Sequence, residues 1–143
     1  MSNKPHLLDE LKAVLEPHTR TTGETIEQFF NRQLHERIVD HRLDQPLPNV
    51  RLLQLSDAEV NILEELWSTA QLKGFPLWHK KIRPAKTDVP LVVFRGWGKL
   101  CLIDGQTRVN LWSAVGNNES HRVLIVEPQS TIIDPFGTAA NRR

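Results

Sequence analysis

The run KLCLI, Lys99 to Ile103, is apolar and of strand length, and it passes at once through Asp104 and Gly105 into the amphipathic segment TRVNLWSAVG. A strand that empties directly into a helix commits a chain to packing helices against a sheet, because neither element buries its apolar face alone. Just upstream, PLVVF is a second strand-length run, and the intervening RGWG, with its two glycines, suits the tight connection of a hairpin. Downstream, HRVLIVEP predicts another strand and STII a short last one. In the helix between them, Val109, Trp112 and Val115 are expected to face inward, with Gly116 taking the left-handed conformation that ends it.

The first part of the chain reads as helical. Leu7, Leu8, Leu11, Val14 and Leu15 recur at spacings of three and four, which predicts a helix that stops at Pro17. A second helix is expected from Thr21 and Glu24, which have capping-box spacing, to about Leu43, with Ile26, Phe30, Leu34 and Ile38 on one side. The two prolines of DQPLPNV then mark an internal boundary, a linker over residues 44–49. Beyond it VRLLQL predicts a strand. SDAEV opens a helix, with Ser56 as N-cap and Glu59 as its partner, Val60, Leu63, Trp67 and Ala70 on a core face, and Gly74 at the end. FPLWHKKIRPAKTDVP follows neither period and reads as a loop of about fifteen residues, and DPFGTAANRR as an extended tail. There is no internal repeat.

At 143 residues and 39% hydrophobic content the chain suffices for one core. Lys and Arg number 18 against 17 Asp and Glu, a net charge of +1, which argues against a strongly basic nucleic-acid coat and sends the search to local patches. The single cysteine, Cys101, excludes an internal disulfide, is expected in the core, and fits a reduced, cytoplasmic setting. Charges within MSNKPHLLDELK and the lack of a long apolar stretch predict neither signal peptide nor membrane span. Histidines stand at 6, 18, 35, 41, 79 and 121, none at the i,i+3 or i,i+4 spacing of two ligands on one helix face, so no structural metal is expected.

The chemistry concentrates at DGQTR. The first N–H groups of a helix, here those of Gln106, Thr107 and Arg108, have no acceptor within it, and the dipole adds roughly half a positive charge at that end. Gly105 permits the sharp turn and lets a ligand approach the backbone. Arg108 is a cation in a first turn, where the dipole disfavours it, so it calls for a negative partner, a side chain or a phosphate. A structural alternative stands beside this: Asp104 caps the helix, Gly105 turns the chain, and Arg108 pairs with Asp104 at i,i+4.

The stretch LCLIDGQTRVNLWSAVGNNESHRVLIVEP resembles the signature of the ParB/sulfiredoxin-like superfamily: a strand, a D-G-x-x-R turn, a helix, a glycine-containing loop and another strand. Asp104, Gly105 and Arg108 match the turn, and Val123 to Val126 the strand after it; LLQLSDAEVNILEELWSTAQLKGFP and PLVVF extend the likeness to about residues 50–127. The resemblance implies an α+β fold, a ParB/sulfiredoxin-like small mixed sheet flanked by helices. Residues 1–49 would be an N-terminal helical extension with its linker, and 128–143 a tail. It also implies nucleotide binding, with phosphates on the helix start and on Arg108, a nucleoside triphosphate with magnesium as ligand, and DNA processing or plasmid and mobile-element biology as the setting. If hydrolysis occurs, a magnesium-bound water near Asp104 is the expected nucleophile. Sulfiredoxins carry a reactive cysteine where this chain has Gln106 and a histidine where it has Thr107, which argues against sulfinic acid reduction. Partitioning ParB proteins carry glutamate and arginine at those two positions, and a helix-turn-helix domain that has no counterpart expected here.

Two readings of other classes are kept. One is an interaction module whose N-terminal helices and an exposed Trp97 bind a protein partner. The other is a DNA-binding or nuclease accessory in which Lys80, Lys81, Arg83 and Lys86 contact phosphates and Trp78 stacks on a base.

Overall fold

Two segments, LVVF and VLIV, are apolar at every position, as strands covered on both faces must be. In the computed structural model, which describes residues 5–39, 51–75 and 89–133, they form the parallel centre of a mixed sheet: β2 (Leu91–Gly96) beside β4 (Ser120–Pro128). β3 (Lys99–Asp104) pairs antiparallel with β2, and β1 (Val60–Ser68) antiparallel with β4, giving the order β1-β4-β2-β3. The described helices are α1 (Pro5–Thr22), α2 (Ile26–Val39), α3 (Thr69–Leu72) and α4 (Gln106–Ala114). The protein is a mixed α+β structure. Among the described residues no helix is long and apolar enough to cross a membrane.

Side-chain alternation sorts the strands into two cores. Val92, Phe94, Ile103, Leu124 and Val126 face α1 and α2, where they meet Leu7, Leu11, Leu15, Phe30 and Leu34. Leu91, Val93, Leu102, Val123 and Ile125 face the other way, onto Leu72, Phe75, Val109 and Trp112. The two N-terminal helices are thus one of the layers that cover the sheet. Arg122 on β4 also reaches Glu10 of α1 through two bonds of 3.0 Å.

Several elements differ from the sequence reading. Residues 60–68, expected as helix, are strand. Only Glu59 and Val60 make helix-like bonds, to the Ser56 carbonyl at 3.1 and 3.0 Å, and the Glu59 carboxylate turns to Arg51 and the Gln54 N–H. From Val60↔Pro128 to Ser68↔Ser120 every residue then pairs with β4. A helix preference of a few tenths of a kcal/mol per residue yields to that ladder and to burial of Val60, Ile62 and Trp67, each contributing about 1.5–3 kcal/mol. Leu63 is only half-buried and Ala70 exposed, so the predicted helical face does not exist. The capping box falls instead at Ser68 and Gln71, opening α3.

The described part of VRLLQL, residues 51–55, forms no ladder. The buried Asn31 of α2 takes the role of a neighbouring strand, accepting from the Leu53 N–H at 2.9 Å and donating to its carbonyl at 3.0 Å. α1 continues through Pro17 to Thr22, because Pro17 and Ala13, whose carbonyl loses its bond, are both exposed to water. The box that opens α2 is Thr25 with Gln28, at 2.8 and 3.0 Å, rather than Thr21 with Glu24. STII lies in a turn, not a strand, and Val115 points to solvent. Trp97, expected exposed at the hairpin tip, is half-buried: its ring packs on Phe94 at 5.1 Å and its Nε1 donates to the Ile132 carbonyl at 3.2 Å, contacts that hold its φ of 51°. The expected linker 44–49, the end of α2 near Leu43 and the tail from 134 lie outside the described residues.

Candidate functional site

The joint between β3 and α4 is built as the glycine implied. Gly105 adopts φ 120° and ψ 9°, and a Cβ there would stand 2.6 Å from Leu91 Cδ2 on the adjoining strand. The first bond within α4 runs from the Val109 N–H to the Gly105 carbonyl at 3.0 Å. The N–H groups of residues 106 to 108 therefore have no acceptor within the helix, and they sit at the positive end of its dipole.

Arg108 is held from within. The residue is 6% exposed; Nη1 donates to the Val89 carbonyl, and Nη2 to the Pro90 carbonyl and to Asp104 Oδ2, both at 3.4 Å. Burial pushes its pKa down and Asp104 pushes it back up; arginine side chains stay protonated in proteins. The i,i+4 pair with Asp104 is present, and the main-chain carbonyls just before β2 are further partners. Of the other predicted residues, Gly105 and Gln106 are buried, while Asp104 and Thr107 are half-buried.

Two residues that the sequence reading did not select complete the surroundings. His18 of α1 places Nε2 3.0 Å from Asp104 Oδ1, its ring stacked on Phe29 at 5.1 Å and 4°. Arg37 of α2 donates through Nε to the carbonyl of Leu102, two residues before Asp104. Burial pushes the pKa of Arg37 down, while the charges of Glu36 and Asp104 favour its protonated form. Basic groups from three helices thus gather where β3 ends. No sequence signal links positions 18 and 37 to 104, since only tertiary packing brings them together.

On the far side of α4, His121 stacks on Trp112 at 3.5 Å and 2°, with Nε2 2.9 Å from Thr69 Oγ1. Burial pushes its pKa down, Glu119 opposing and Arg108 reinforcing. Cys101 is buried and its pKa is pushed up, the opposite of a reactive thiolate. Among the described residues no three His, Cys, Asp or Glu side chains group to hold a metal ion. Lys80, Lys81, Arg83, Lys86 and Trp78 lie outside the described residues.

Because the Arg108 fork spans separate carbonyls, lysine cannot replace it: Arg108→Lys is expected to lower stability by about 2 kcal/mol in urea unfolding. An unchanged midpoint would remove its structural role. In comparisons with known proteins, no family model, no curated protein and no solved structure matches the chain.

Proposed function

We propose that the chain is a ParB/sulfiredoxin-like domain that binds a nucleotide, or another phosphorylated ligand, at the joint formed by Asp104, Gly105, Gln106, Thr107 and Arg108. The observation that carries this reading is the joint's construction. A glycine in a conformation and space closed to other residues delivers a helix start to the end of a strand, with basic side chains of three helices around it. Phosphate oxygens suit first-turn N–H groups. Arg108 contributes its charge from beneath, its own N–H groups holding protein carbonyls in place. A resident magnesium does not fit, since Asp104 is already engaged by His18 and Arg108 and, among the described residues, no group of three His, Cys, Asp or Glu side chains includes it. Magnesium would arrive with a triphosphate. The resemblance supplies the setting, DNA processing on plasmids or mobile elements, with Lys80, Lys81, Arg83 and Lys86 as candidate DNA contacts.

A second reading, a non-catalytic protein-interaction module, is favoured by one observation: the Arg108 guanidinium is bonded to the Val89 and Pro90 carbonyls and to Asp104, all groups of the protein itself. Thermal melting with each nucleoside triphosphate, with and without magnesium, separates the two. Ligand at a hundred times its Kd is expected to raise the melting temperature by about 5–10 °C. Thr107→Glu sets a carboxylate among the same N–H groups; the dipole welcomes it, so the fold persists while the ligand shift disappears. No shift with any nucleotide on a folded protein would favour the interaction module.

A further inference from the structure

His121 sits where three elements meet. Its ring lies flat on Trp112 of α4, 3.5 Å away and 2° from parallel, and Nε2 is 2.9 Å from the Thr69 hydroxyl of α3. The segment between α4 and β4 closes the same knot. The Asn117 N–H donates to the Trp112 carbonyl at 2.9 Å and the Thr69 N–H to the Glu119 carbonyl at 3.3 Å, while Asn117 Oδ1 accepts from the Glu119 N–H at 2.7 Å. Trp112 and Thr69 are buried, whereas His121 is half-buried and open to proton exchange. We infer that His121 is a pH-operated latch: neutral, it ties α3 and α4 to β4, and on taking up a proton it lets α4 lift from the sheet. The inference is independent of phosphate binding at the other end of α4.

A proton changes what the ring offers its neighbours. Both nitrogens become donors, and the Thr69 hydroxyl is left with Asn117 Oδ1, 3.5 Å away and already taken by Glu119. Burial also disfavours the charged ring and pushes its pKa below the usual histidine value, Arg108 reinforcing and Glu119 opposing. The other charges around it are constant. From α4 comes Arg108, held by the Val89 and Pro90 carbonyls and by Asp104, and from the segment before β4 comes the exposed Glu119. On β1, Trp67 is the ladder partner of His121, and its Nε1 donates to Glu65, which also pairs with Arg95. Arg122 on β4 points to the opposite face, where Glu10 and Glu64 hold it. α3 has no ionisable side chain, and Lys73 after it is exposed. Carboxylates and guanidiniums keep their charges from about pH 5.5 to 8, so of this set His121 alone changes. With α4 lifted, the ring stands in water and takes its proton at about pH 6.5; packed, it takes one only at lower pH. Between these values the open form binds more protons. The latch is therefore fully closed above about pH 6.5 and weakens as the pH falls through the lower, packed value.

Proton NMR of the full chain follows the ring directly, its signals identified by their through-space coupling to Trp112. At about pH 8 the ring protons are expected far upfield, shielded by the indole. On acidification they should titrate with a midpoint below about 6.5 and move to ordinary positions as the ring leaves the stack. Amide exchange, corrected for its own pH dependence, is expected to quicken at the Val109 and Asn117 N–H groups between about pH 8 and 5.5. About tenfold is the ceiling for one histidine, and the Val93 and Ile125 N–H groups at the sheet centre should hold. His121→Gln keeps an amide for Thr69 but cannot titrate, so its α4 exchange is expected to be equal at both pH values. His6, His18 and His35 stay in that variant, so a pH dependence of theirs would survive it. Three results overturn the inference: a midpoint at or above about 6.5, α4 exchange that ignores pH in the parent chain, or exchange in His121→Gln that keeps the parent's pH dependence. A fourth is ring signals that stay upfield once protonated, the imidazolium resting on Trp112 as a cation–π pair. The titration and the parent exchange decide the matter even where His121→Gln does not fold.

Discussion

A chain beginning at residue 51 is expected not to fold. The sheet face formed by Val92, Phe94, Ile103, Leu124 and Val126 is closed by Leu7, Leu11, Leu15, Phe30 and Leu34, all at most 3% exposed. Stripping the helices bares both sets, and each large side chain returned to water costs about 1.5–3 kcal/mol. Five strand residues alone approach or exceed a typical total stability of about 5–15 kcal/mol. Polar links go too: Arg122 loses Glu10, Leu53 loses Asn31, and Asp104 loses His18. The measurement is circular dichroism with amide dispersion in NMR, on residues 51–143 and on the whole chain. A cooperative melt of the shorter chain would show that α1 and α2 are an appendage after all. Phe30→Ala offers a milder check: Phe30 meets Phe94 edge-on at 6.3 Å, and its loss should cost about 3–5 kcal/mol.

What the amino-acid sequence discloses follows from how local each determinant is. LVVF and VLIV, apolar at successive positions, mark the two central strands unaided, and a strand of the hairpin leads into Gly105 and α4 where the reading placed them. The apolar stripes of α1 and α2 are equally plain. VNILEELW misleads because its glutamates and leucines suit a helix, and what decides against one is a partner strand some sixty residues on: Glu64 meets Arg122, and Val60 faces Pro128. Capping motifs mislead for a related reason. Ser56 and Glu59, Thr21 and Glu24, Thr25 and Gln28, and Ser68 and Gln71 all have workable spacing, but α1 runs through Thr21 and the β1 ladder starts at Val60, so only the last two open helices. At the joint the backbone was legible and its partners were not. Asp104 with Arg108 is an i,i+4 relation visible in five residues, whereas His18 and the carbonyls of Val89 and Pro90 come from other parts of the fold.

Gly105→Val is expected to cost about 2–6 kcal/mol, the largest effect of any single substitution at the joint. Two independent terms add. A φ of +120° is a backbone state that residues with a Cβ occupy only at about 1–3 kcal/mol, more when branched. A Cβ would also stand 2.6 Å from Leu91 Cδ2 and 2.8 Å from its Cγ, overpacking of about 1–3 kcal/mol. Leu91 has no room to give way: it is 1% exposed within the core that faces α4. A double-mutant cycle with the smaller Gly105→Ala separates the terms. Leu91→Ala alone should cost about 2–5 kcal/mol as a cavity. In the Gly105→Ala background the added methyl meets open space instead of a clash, so the pair should be less destabilised than the sum by about 1–2 kcal/mol. Backbone strain survives in every combination, so the double variant must remain less stable than Leu91→Ala by at least that residue of the cost. Urea unfolding of the four proteins reads both quantities. Strict additivity would mean that Leu91 does not close the joint, and a double variant as stable as Leu91→Ala would mean that the left-handed turn is not what demands glycine.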